Sequence, residues 1–559
     1  MQEFSLLYPK NVQSKNKTLT DEACNDLSVE YICEKLSGDP YEQNIIRNIM
    51  IKIESNPEII RYRRDVFDDI YHYPELRERI KGLLDELAYL KELEKSVKDA
   101  TAAPIWQLIN RLQELDIYVN CISGINQSLT EHNIHSEGLK LLKDFVGSVY
   151  NESGFEHLHD DIKELVSEIG QIKSISLGVN LDNRLVPVEV GIVSINDTPF
   201  SKPGLLSKFL DFSSKKSEIH GGTSFDGMTK IHTVGKVSGD DPLMSNLSRV
   251  VTEMLGSTVK QLKNKLSRYT NISGYSLTKL IPEFIFYIRW ADYLEKVRDV
   301  GVPLCKPDII DNNKRDMHAK GLYNFKLAIQ LVDKNQKSKT KNQSDDKQND
   351  LEDINEIILN DIDFDSEHRI YIMTGPNRGG KTTLTQAVGL VFMMAQCGIY
   401  VPAQEIQLSP VDSIYTHFPA DENKTVNLGR LGEESQRMSE IFETATNESL
   451  LLFNESLATT SFAEGLYIAK DVVKALRYLG ARTIFNTHMH ELAMNLSYVN
   501  TQIQGDSKVA SLITGIHEGK RSYKIFIAPP EGVSYAQDIA KKYGVTFEQL
   551  ISRIQKDKK

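Results

Sequence analysis

The chain has 559 residues, of which 40% are hydrophobic and 26% are charged, and these are the proportions of an ordinary soluble protein. A single hydrophobic core is not expected at this length, so roughly three or four structural units are predicted. The formal net charge of −11 gives no overall attraction to nucleic acid, so a DNA partner would need a local basic surface.

The cysteine pattern, the start of the chain and the lengths of its apolar runs argue against several classes of protein. Cys24, Cys33, Cys121, Cys305 and Cys397 are scattered and form no C-x-x-C pair, which favours free thiols over a disulfide framework or a zinc site. The start of the chain shows no basic and apolar leader, and no uncharged apolar run approaches the roughly 18 residues of a membrane span. We therefore expect a cytoplasmic protein with no membrane partner.

Helical periodicity dominates the first part of the chain. Residues 1–75 are predicted to form an N-terminal segment of short helices, with one apolar stripe over 41–55. A long helix is predicted from residue 74 to about residue 100, and helical patterns continue from 103 to 171. The charged residues between the apolar positions are those of solvated helix faces, so this part is expected to be a mainly α-helical core or lever region, over about 76–310.

Two alternating stretches interrupt these helices. They predict a small β-hairpin near 172–196, with turn chemistry at 182–184. Residues 197–242 are rich in Ser, Gly, Lys and Asp and are predicted to be irregular, after which a helix resumes over about 242–268. Its basic residues have two interpretations, a solvated helix face or a surface that contacts DNA phosphates. These residues are Lys260, Lys263, Lys265 and Arg268.

The pattern changes again after a further predicted helix at 281–299. Residues 334–350 contain no apolar residue and are predicted to be a disordered insertion, because they cannot bury surface to offset the entropy of ordering. From 351 to 559 strand and helix signals alternate. That alternation predicts an α/β domain with a mostly parallel sheet and flanking helices.

The organising motif of this last domain is a phosphate-binding loop. Residues 375–382 fit G-x-x-x-x-G-K-[ST], between an apolar strand at 370–373 and a predicted helix from Thr382. In such a loop the backbone N–H groups and the helix N-terminus wrap a phosphate. Lys381 would reach the β- and γ-phosphate oxygens, and the Thr382 hydroxyl would bind Mg²⁺.

Two polar residues, Asn454 and Glu455, end an apolar strand downstream of this loop. In nucleotide-hydrolysing enzymes the first residue at this place is usually acidic and holds Mg²⁺ through water, and the second orients or deprotonates the attacking water. Asn454 brings no negative charge, so weaker Mg²⁺ binding and slow turnover are expected. Glu455 keeps the carboxylate that water activation needs.

Two further signals accompany these residues. Residues 481–490 contain another buried strand that ends at a histidine. His488 at this strand end could hydrogen-bond a γ-phosphate or simply cap the sheet, and His490 is interpreted as structural. Gly429, Arg430 and Gly432 lie in a glycine-containing loop that opens a helix. Such a loop can present backbone N–H groups to a phosphate, including one held by another subunit.

Together these segments resemble the MutS family of DNA mismatch-repair ATPases. Residues 374–383 resemble the family's T-G-P-N-M-G-G-K-S-T, and 400–403 match its Y-V-P-A. Residues 485–492 resemble F-A-T-H-x-x-E-L, and 534–540 resemble the S-Y-G-x-x-x-A that opens its C-terminal dimerisation element. The resemblance covers about residues 355–555.

The resemblance implies an ABC-type ATPase head that forms a homodimer, preceded by helical levers that hold DNA. It implies ATP and Mg²⁺ as cofactors, with Glu455 and His488 catalytic and with Thr382 and Asn454 at the metal. The residues implied to bind ATP are Gly375, Pro376, Asn377, Arg378, Gly379, Gly380, Lys381, Thr382 and Thr383. Those implied at the dimer interface are Gly429, Arg430, Gly432, Thr460 and Ser461.

This sequence also departs from the family pattern. Asn454 replaces an Asp, the family's G-R-S-T-F aligns with 427–431 without its serine, and Ile357 stands where an adenine-stacking aromatic is common. No G-x-F-x-E lies near the start, so we expect the mismatch-recognition domain to be absent, and no Smr-like nuclease tail is expected after the head.

The function predicted on these grounds is an ATP-dependent DNA-binding clamp in mismatch repair or recombination, which recognises a DNA structure and not a mismatch. The alternative is a weakly hydrolysing, nucleotide-gated protein-interaction switch, which Asn454 and the altered interface loop favour. A head of the coiled-coil chromosome-maintenance kind is set aside, because such heads are split by long heptad repeats and these motifs are continuous. DNA, a second copy of the chain and repair proteins are the predicted partners.

Overall fold

The computed structural model describes most of the chain. Its residues are 4–97, 104–151, 153–170, 174–184, 187–198, 260, 263–269, 275–341, 357–376, 379–419, 429–458, 461–517, 520–530, 541 and 543–556. Several predictions lie outside them: the irregular segment from 199, the helix over 242–259, and the dimerisation motif at 534–540.

The described residues form two compact units. The helical unit comprises Glu75–Asn133 and Leu141–Ile281, and the head unit comprises Phe4–Pro74, Ile134–Lys140 and Pro282–Lys559. Residues 4–74, which the sequence suggests as a separate segment, are therefore part of the same compact unit as the α/β sheet. No helix among the described residues is both long and apolar enough to cross a membrane.

The helices are Asp21–Asp26, Val29–Leu36, Pro40–Met50, Pro57–His72, Pro74–Val97, Pro104–Glu131, Glu137–Tyr150, Ser153–Gly170, Tyr275–Thr278, Ile281–Asp299, Phe325–Lys341, Lys381–Gln396, Gly429–Thr444, Phe462–Leu479, His490–Met494, Leu496–Gln502 and Phe547–Lys556. The strands are β1 (Asn16–Thr18), β2 (Lys52–Glu54), β3 (Ser174–Leu181), β4 (Pro187–Asn196), β5 (Asp308–Ile309), β6 (Met317–Leu322), β7 (Asn360–Phe364), β8 (His368–Thr374), β9 (Glu405–Leu408), β10 (Ile414–His417), β11 (Leu450–Asn454), β12 (Arg482–Asn486), β13 (Lys508–His517) and β14 (Lys520–Ile527).

The helical unit contains the long helices and the hairpin. In helix Pro74–Val97 the buried side chains recur at three and four residues, which is the periodicity of one helix face. β3 and β4 pair antiparallel, and the Asp182 carboxylate accepts a hydrogen bond of 2.8 Å from the Arg184 N–H in the turn between them. An aspartate that bonds its own backbone two residues on is the usual chemistry of such a turn.

The head unit is built on a six-stranded sheet in the order β10-β11-β12-β8-β13-β14. The first five strands are parallel and β14 is antiparallel to β13. Every residue of β11 and β12 is buried, as expected for strands covered on both faces. The register pairs Asn454 with Asn486 and Asn486 with Met373, so the carboxyl ends of β11, β12 and β8 lie side by side.

A second sheet of four strands, in the order β5-β9-β6-β7, belongs to the same unit. Two local differences from the sequence pattern occur elsewhere in the head unit. Ile53 lies in β2 and not in the preceding helix, which ends at Met50. Helix Phe325–Lys341 includes the first residues of the segment predicted to be disordered from 334, because Lys and Gln are good helix formers that can extend a helix nucleated by the apolar residues before them.

Helix Lys381–Gln396, here called the loop helix, is the centre of the head unit. Nearly all its residues are buried, and a Cβ on Gly389 would lie 2.6 Å from a Leu27 methyl and 2.8 Å from a Leu452 methyl. Gly398 follows the end of the helix. It has φ +79°, and a Cβ added to it would lie 2.6 Å from the Arg64 backbone nitrogen. Glycine is required there by both conformation and space. Residues 4–74 and the sheet therefore both pack against this helix.

Candidate nucleotide-binding site

The phosphate loop, residues 375–382, leaves the end of β8 and enters the loop helix. Gly375 has φ +145° and Gly380 has φ +91°, conformations that side-chain-bearing residues rarely adopt. A Cβ on Gly375 would also collide with the Thr514 hydroxyl. The Gly379 N–H donates to the Pro376 carbonyl oxygen at 3.1 Å. Asn377 and Arg378 lie outside the described residues, and the glycines around them take the tight course that the motif predicts.

Lys381 is buried at the first position of the loop helix. Its Nζ donates hydrogen bonds of 3.1 Å to the carbonyl oxygens of Gly375 and Pro376. A buried ammonium group needs such partners, because desolvation of a charge without them is costly. These contacts hold the ammonium group of Lys381 within the loop. The next residues, Thr382 and Thr383, are only partly buried.

Asn454 lies directly against Thr382. The Thr382 hydroxyl donates to Asn454 Oδ1 at 2.9 Å, and Asn486 Nδ2 donates to the same oxygen. Because β11 and β12 pair in register, Asn486 fixes the orientation of the Asn454 amide. Thr382 and Asn454 thus supply two neutral oxygen atoms, which fits an ion such as Mg²⁺ that prefers oxygen ligands and keeps several waters. They supply no negative charge.

Glu455 and His488 form the second pair of the site. His488 Nε2 lies 2.9 Å from Glu455 Oε1, and it donates because a carboxylate can only accept. This hydrogen bond lowers the pKa of Glu455 below its ordinary value despite partial burial, and the charges of His488 and Lys381 lower it further. Glu455 is therefore ionised at neutral pH. Its backbone has φ +50°, and its N–H donates to the Asn486 carbonyl oxygen at 2.9 Å.

His490 opens a short helix beyond this pair. Burial lowers the pKa of His490, and the charges of His488 and Lys381 add to the effect. The imidazole of His490 is thus neutral and partly buried, and the structural role of this residue stays a prediction.

A cavity of about 680 Å³ adjoins the loop on the side of Gly380 and Thr383. Ile357 lines it, and so does Tyr523, whose ring is close to Gly380. Tyr523 was not predicted from the sequence, because it lies on the antiparallel β14 and no local motif marks its approach to the loop. Asn486 was not predicted either, although a polar residue at the end of a buried strand is a usable signal.

The described residues that were predicted at a dimer interface lie at the N-terminal ends of two helices. Gly429, Arg430 and Gly432 are in the first turn of helix Gly429–Thr444, here called the signature helix. Ser461 caps helix Phe462–Leu479: its hydroxyl accepts from the Glu464 N–H and donates to the Glu464 carboxylate at 2.6 Å. Ser461 is thus the N-cap of this helix and has a role within its own chain. Thr460 lies outside the described residues.

The predicted basic surface belongs to the helical unit and is partly neutralised. Lys265 Nζ lies 2.6 Å from a Glu164 carboxylate oxygen, and Arg268 Nη1 lies 3.9 Å from an Asp161 oxygen. Lys260 and Lys263 are exposed. The structure therefore does not bring the four cations together as one unpaired cluster, which favours the solvated-face interpretation for Lys265 and Arg268.

Comparison with known proteins links this site to one family. Residues 371–541 match the family model of MutS domain V, and residues 55–300 match that of the MutS2 N-terminal domain. Domain V is an ABC-type ATPase domain, which confirms the class predicted for the head; the lever role of the helices stays a prediction.

Curated relatives agree with these matches. The DNA mismatch repair protein MutS of Chlorobium phaeobacteroides is 31% identical over 195 residues, which are 35% of this chain and 22% of that protein. The MutS proteins of Chlorobium limicola and Caldicellulosiruptor saccharolyticus are 38% and 32% identical over 24% and 33% of this chain. The matched part spans only 16% to 23% of the length of these relatives. On the two domain matches and the shared motifs, the chain belongs to the MutS family.

Proposed function

We propose that this chain binds ATP with Mg²⁺, hydrolyses it slowly, and uses its nucleotide state to control the binding of DNA by a dimer. One observation carries the proposal. The phosphate loop, the Thr382–Asn454 pair and the Glu455–His488 pair meet at the adjacent carboxyl ends of β8, β11 and β12. This edge of a parallel sheet is where nucleotides bind in open α/β folds.

The triphosphate would lie in the loop and the nucleoside in the adjoining cavity. Lys381 is already inside the loop, and its contacts to two carbonyl oxygens can be exchanged for stronger ones to phosphate oxygens. The cavity of about 680 Å³ has the size of a nucleotide-binding pocket. Tyr523 supplies the aromatic surface that Ile357 does not.

Thr382 and Asn454 would hold Mg²⁺, partly through water. The ion would supply positive charge that neutralises the phosphate oxygens as negative charge develops on them. The amide of Asn454 can accept a hydrogen bond from a metal-bound water, but it adds no Coulombic attraction. Mg²⁺ affinity is therefore proposed to be low at this site, and hydrolysis is proposed to be slow for that reason.

Glu455 would orient the attacking water. The water oxygen bonds to the γ-phosphorus, the bond from that phosphorus to the β,γ-bridging oxygen breaks, and the water proton passes to Glu455 or to the phosphate. An ionised carboxylate is required for this, and the hydrogen bond from His488 lowers the pKa of Glu455. His488 Nε2–H is also able to donate to a γ-phosphate oxygen once the nucleotide is present.

DNA and a second copy of the chain are proposed as partners on the strength of the family. The curated relatives are named DNA mismatch repair proteins, and the signature helix starts with residues suited to a phosphate of another subunit. Any effect of ATP on DNA affinity must be matched by an equal effect of DNA on ATP affinity. Lys260 and Lys263 are the exposed candidates for phosphate contacts in the helical unit.

A second candidate function is a nucleotide-gated protein-interaction switch with little hydrolysis. It is favoured by Asn454, because the described side chains that hydrogen-bond with one another at this place, Thr382, Asn454 and Asn486, are all neutral. The net charge of −11 also allows a protein partner in place of DNA.

ATP hydrolysis with and without DNA separates the two candidates. Duplex, mismatched and branched DNA are each added to the protein, and the Glu455→Ala variant serves as the control for contaminating activity. A rate that DNA changes and that the variant lacks supports the DNA-coupled ATPase, and the most effective DNA identifies the substrate. ATP binding without any effect of DNA, and without retention of DNA at low salt, would reject it in favour of the switch.

A further inference from the structure

The residues that follow Glu455 adopt an unusual backbone. Glu455 and Leu457 have φ values of +50° and +64°, although neither is glycine. Such conformations persist only where the surroundings hold them, and they concentrate at functional sites. The Ala458 N–H closes the turn on the Glu455 carbonyl oxygen at 3.3 Å. Residues 455–458 are here called the hydrolytic turn.

A buried carboxylate of the signature helix holds this turn. Glu434 Oε2 accepts a hydrogen bond of 2.6 Å from the Leu457 N–H, and both residues are almost fully buried. A charge-assisted hydrogen bond of this length is among the stronger ones in proteins. It fixes Leu457, two residues from the carboxylate proposed to orient water, to a helix that is distant in sequence.

A buried histidine makes a second link between the same elements. His417, at the end of β10, places Nδ1 2.7 Å from the Ser456 hydroxyl and Nε2 3.0 Å from the Glu434 carbonyl oxygen. Burial, with the nearby charge of Arg437, lowers the pKa of His417 to about 4, so the ring is neutral. Nε2 therefore carries the proton and donates to the carbonyl oxygen, and Nδ1 accepts.

The first turn of the signature helix lies just before Glu434 and has a different proposed role. Its first turn carries Gly429, Arg430 and Gly432, which are proposed to contact a nucleotide held by the partner. A helix moves as a rigid body over a distance of five residues. A shift of its first turn must therefore move Glu434, and with it the Leu457 N–H and the hydrolytic turn.

We infer that Glu434 and His417 are positioning residues, which make the placement of Glu455 depend on the placement of the signature helix of the same chain. This inference rests on the proposed ATPase function. It adds a specific route: a contact made to the partner's nucleotide by one chain sets the competence of that chain's own Glu455. The two sites of a dimer would then be coupled through residues that touch neither nucleotide.

Kinetics of three variants test the inference. Glu434→Ala removes the acceptor for the Leu457 N–H, and Glu434→Gln restores an acceptor oxygen. Glu440→Ala is the matched control, because Glu440 is exposed on the same helix and its side chain contacts Gln436. We expect kcat to fall at least about tenfold in Glu434→Ala, with KM and ATP affinity within about twofold of wild type, since a misplaced catalytic group affects the chemical step. Glu434→Gln is expected to recover most of the loss.

Two results with Glu434→Ala would overturn the inference. A folded Glu434→Ala protein with wild-type kcat overturns the inference. So does a loss of ATP affinity that accounts for the whole change in rate, because that describes a general structural defect. If Glu434→Ala does not fold, Ser456→Ala removes only a hydroxyl and breaks the His417 link; it should lower kcat with unchanged KM, and an unchanged kcat rejects the inference.

Hydrogen–deuterium exchange separates failure of this inference from failure of the proposed function. Amide exchange in the peptide that contains Leu457 is followed with and without ATP. In wild type, ATP should change exchange in this peptide and in the signature helix together, and Glu434→Ala should abolish that joint response and speed exchange at the turn. If wild type binds ATP without hydrolysing it, these results still decide the matter. Identical exchange in the variant and the wild type refutes the positioning role.

Discussion

Asn454 is the residue at which the chemistry of this site differs most from the family pattern, which has an Asp at this position. Its amide oxygen accepts from both Thr382 and Asn486, so it is well ordered but neutral. Both donors could bond a carboxylate oxygen equally well. A negative charge could therefore be introduced at this position without loss of its two hydrogen bonds.

Asn454→Asp is expected to strengthen Mg²⁺ binding. A carboxylate beside the Thr382 hydroxyl adds direct Coulombic attraction, so the Mg²⁺ concentration for half-maximal ATPase activity should fall about tenfold, a change worth about 1.4 kcal/mol. A Mg²⁺ titration of the ATPase rate measures it. Asn48→Asp, at an exposed position on helix Pro40–Met50, controls for net charge. An unchanged half-maximal concentration would remove Asn454 from the proposed metal site.

His488 gives the site a predictable pH dependence. Its hydrogen bond is the largest influence that lowers the pKa of Glu455, so the base stays ionised as pH falls. In His488→Ala that pKa rises towards its ordinary value, and protonation of Glu455 begins at higher pH. The acidic limb of the kcat/KM profile should therefore move to higher pH, in addition to any fall in rate. A limb that stays in place would show that Glu455 is not the titrating base.

At the scale of secondary-structure elements, much of this site was predictable. The apolar strands before Gly375, Asn454 and His488 are strong local signals, and parallel pairing brings their carboxyl ends to one edge of the sheet. Other contacts of the site were not predictable, because they join residues on different elements and no local sequence pattern marks them. Tyr523 reaches the loop from an antiparallel strand, and Glu434 meets Leu457 across 23 positions of sequence. Only the packed fold defines such contacts.

Gly398 follows the loop helix at a position where both the backbone conformation and the available space require glycine. Gly398→Ala would hold an alanine at φ +79° with its Cβ 2.4 Å from Arg63 Cβ. We expect a loss of about 2–4 kcal/mol in the free energy of unfolding of the head unit. Thermal unfolding followed by calorimetry measures it, and Gly38→Ala is the control, because its Cβ would meet no atom within 4 Å. Equal melting temperatures of the two variants would contradict this account.

At the scale of the whole molecule, the ATPase head is larger than its motifs. The loop helix is covered by residues 4–74: Leu27 packs against Gly389, Gln396 Nε2 donates to the Glu54 carbonyl oxygen at 2.7 Å, and Arg63 donates to the Gln396 carbonyl oxygen at 3.4 Å. The prediction of a separate N-terminal segment missed this, since amphipathic helices reveal a buried face but not the partner that covers it.

A fragment that contains only residues 351–559 is therefore expected to be unstable. Its loop helix would expose apolar side chains over the face that residues 4–74 cover in the full chain. Circular dichroism and size-exclusion chromatography should show aggregation or the absence of a cooperative unfolding transition. The full-length chain, prepared in parallel, is the control. A monomeric fragment with a cooperative transition would show that residues 4–74 are dispensable for the head.

The division of the head unit between the two ends of the chain also bears on how the protein is made. Gln386 of the loop helix donates to the Asp26 carbonyl oxygen, a residue 360 positions earlier. On the ribosome, the N-terminal helices must wait until the loop helix has emerged before their apolar faces are covered. Most of the helical unit can form in the meantime, because it is nearly continuous in sequence. Contacts of such long range slow folding and leave surface exposed to aggregation, so chaperone binding to the nascent first 74 residues is the expected consequence.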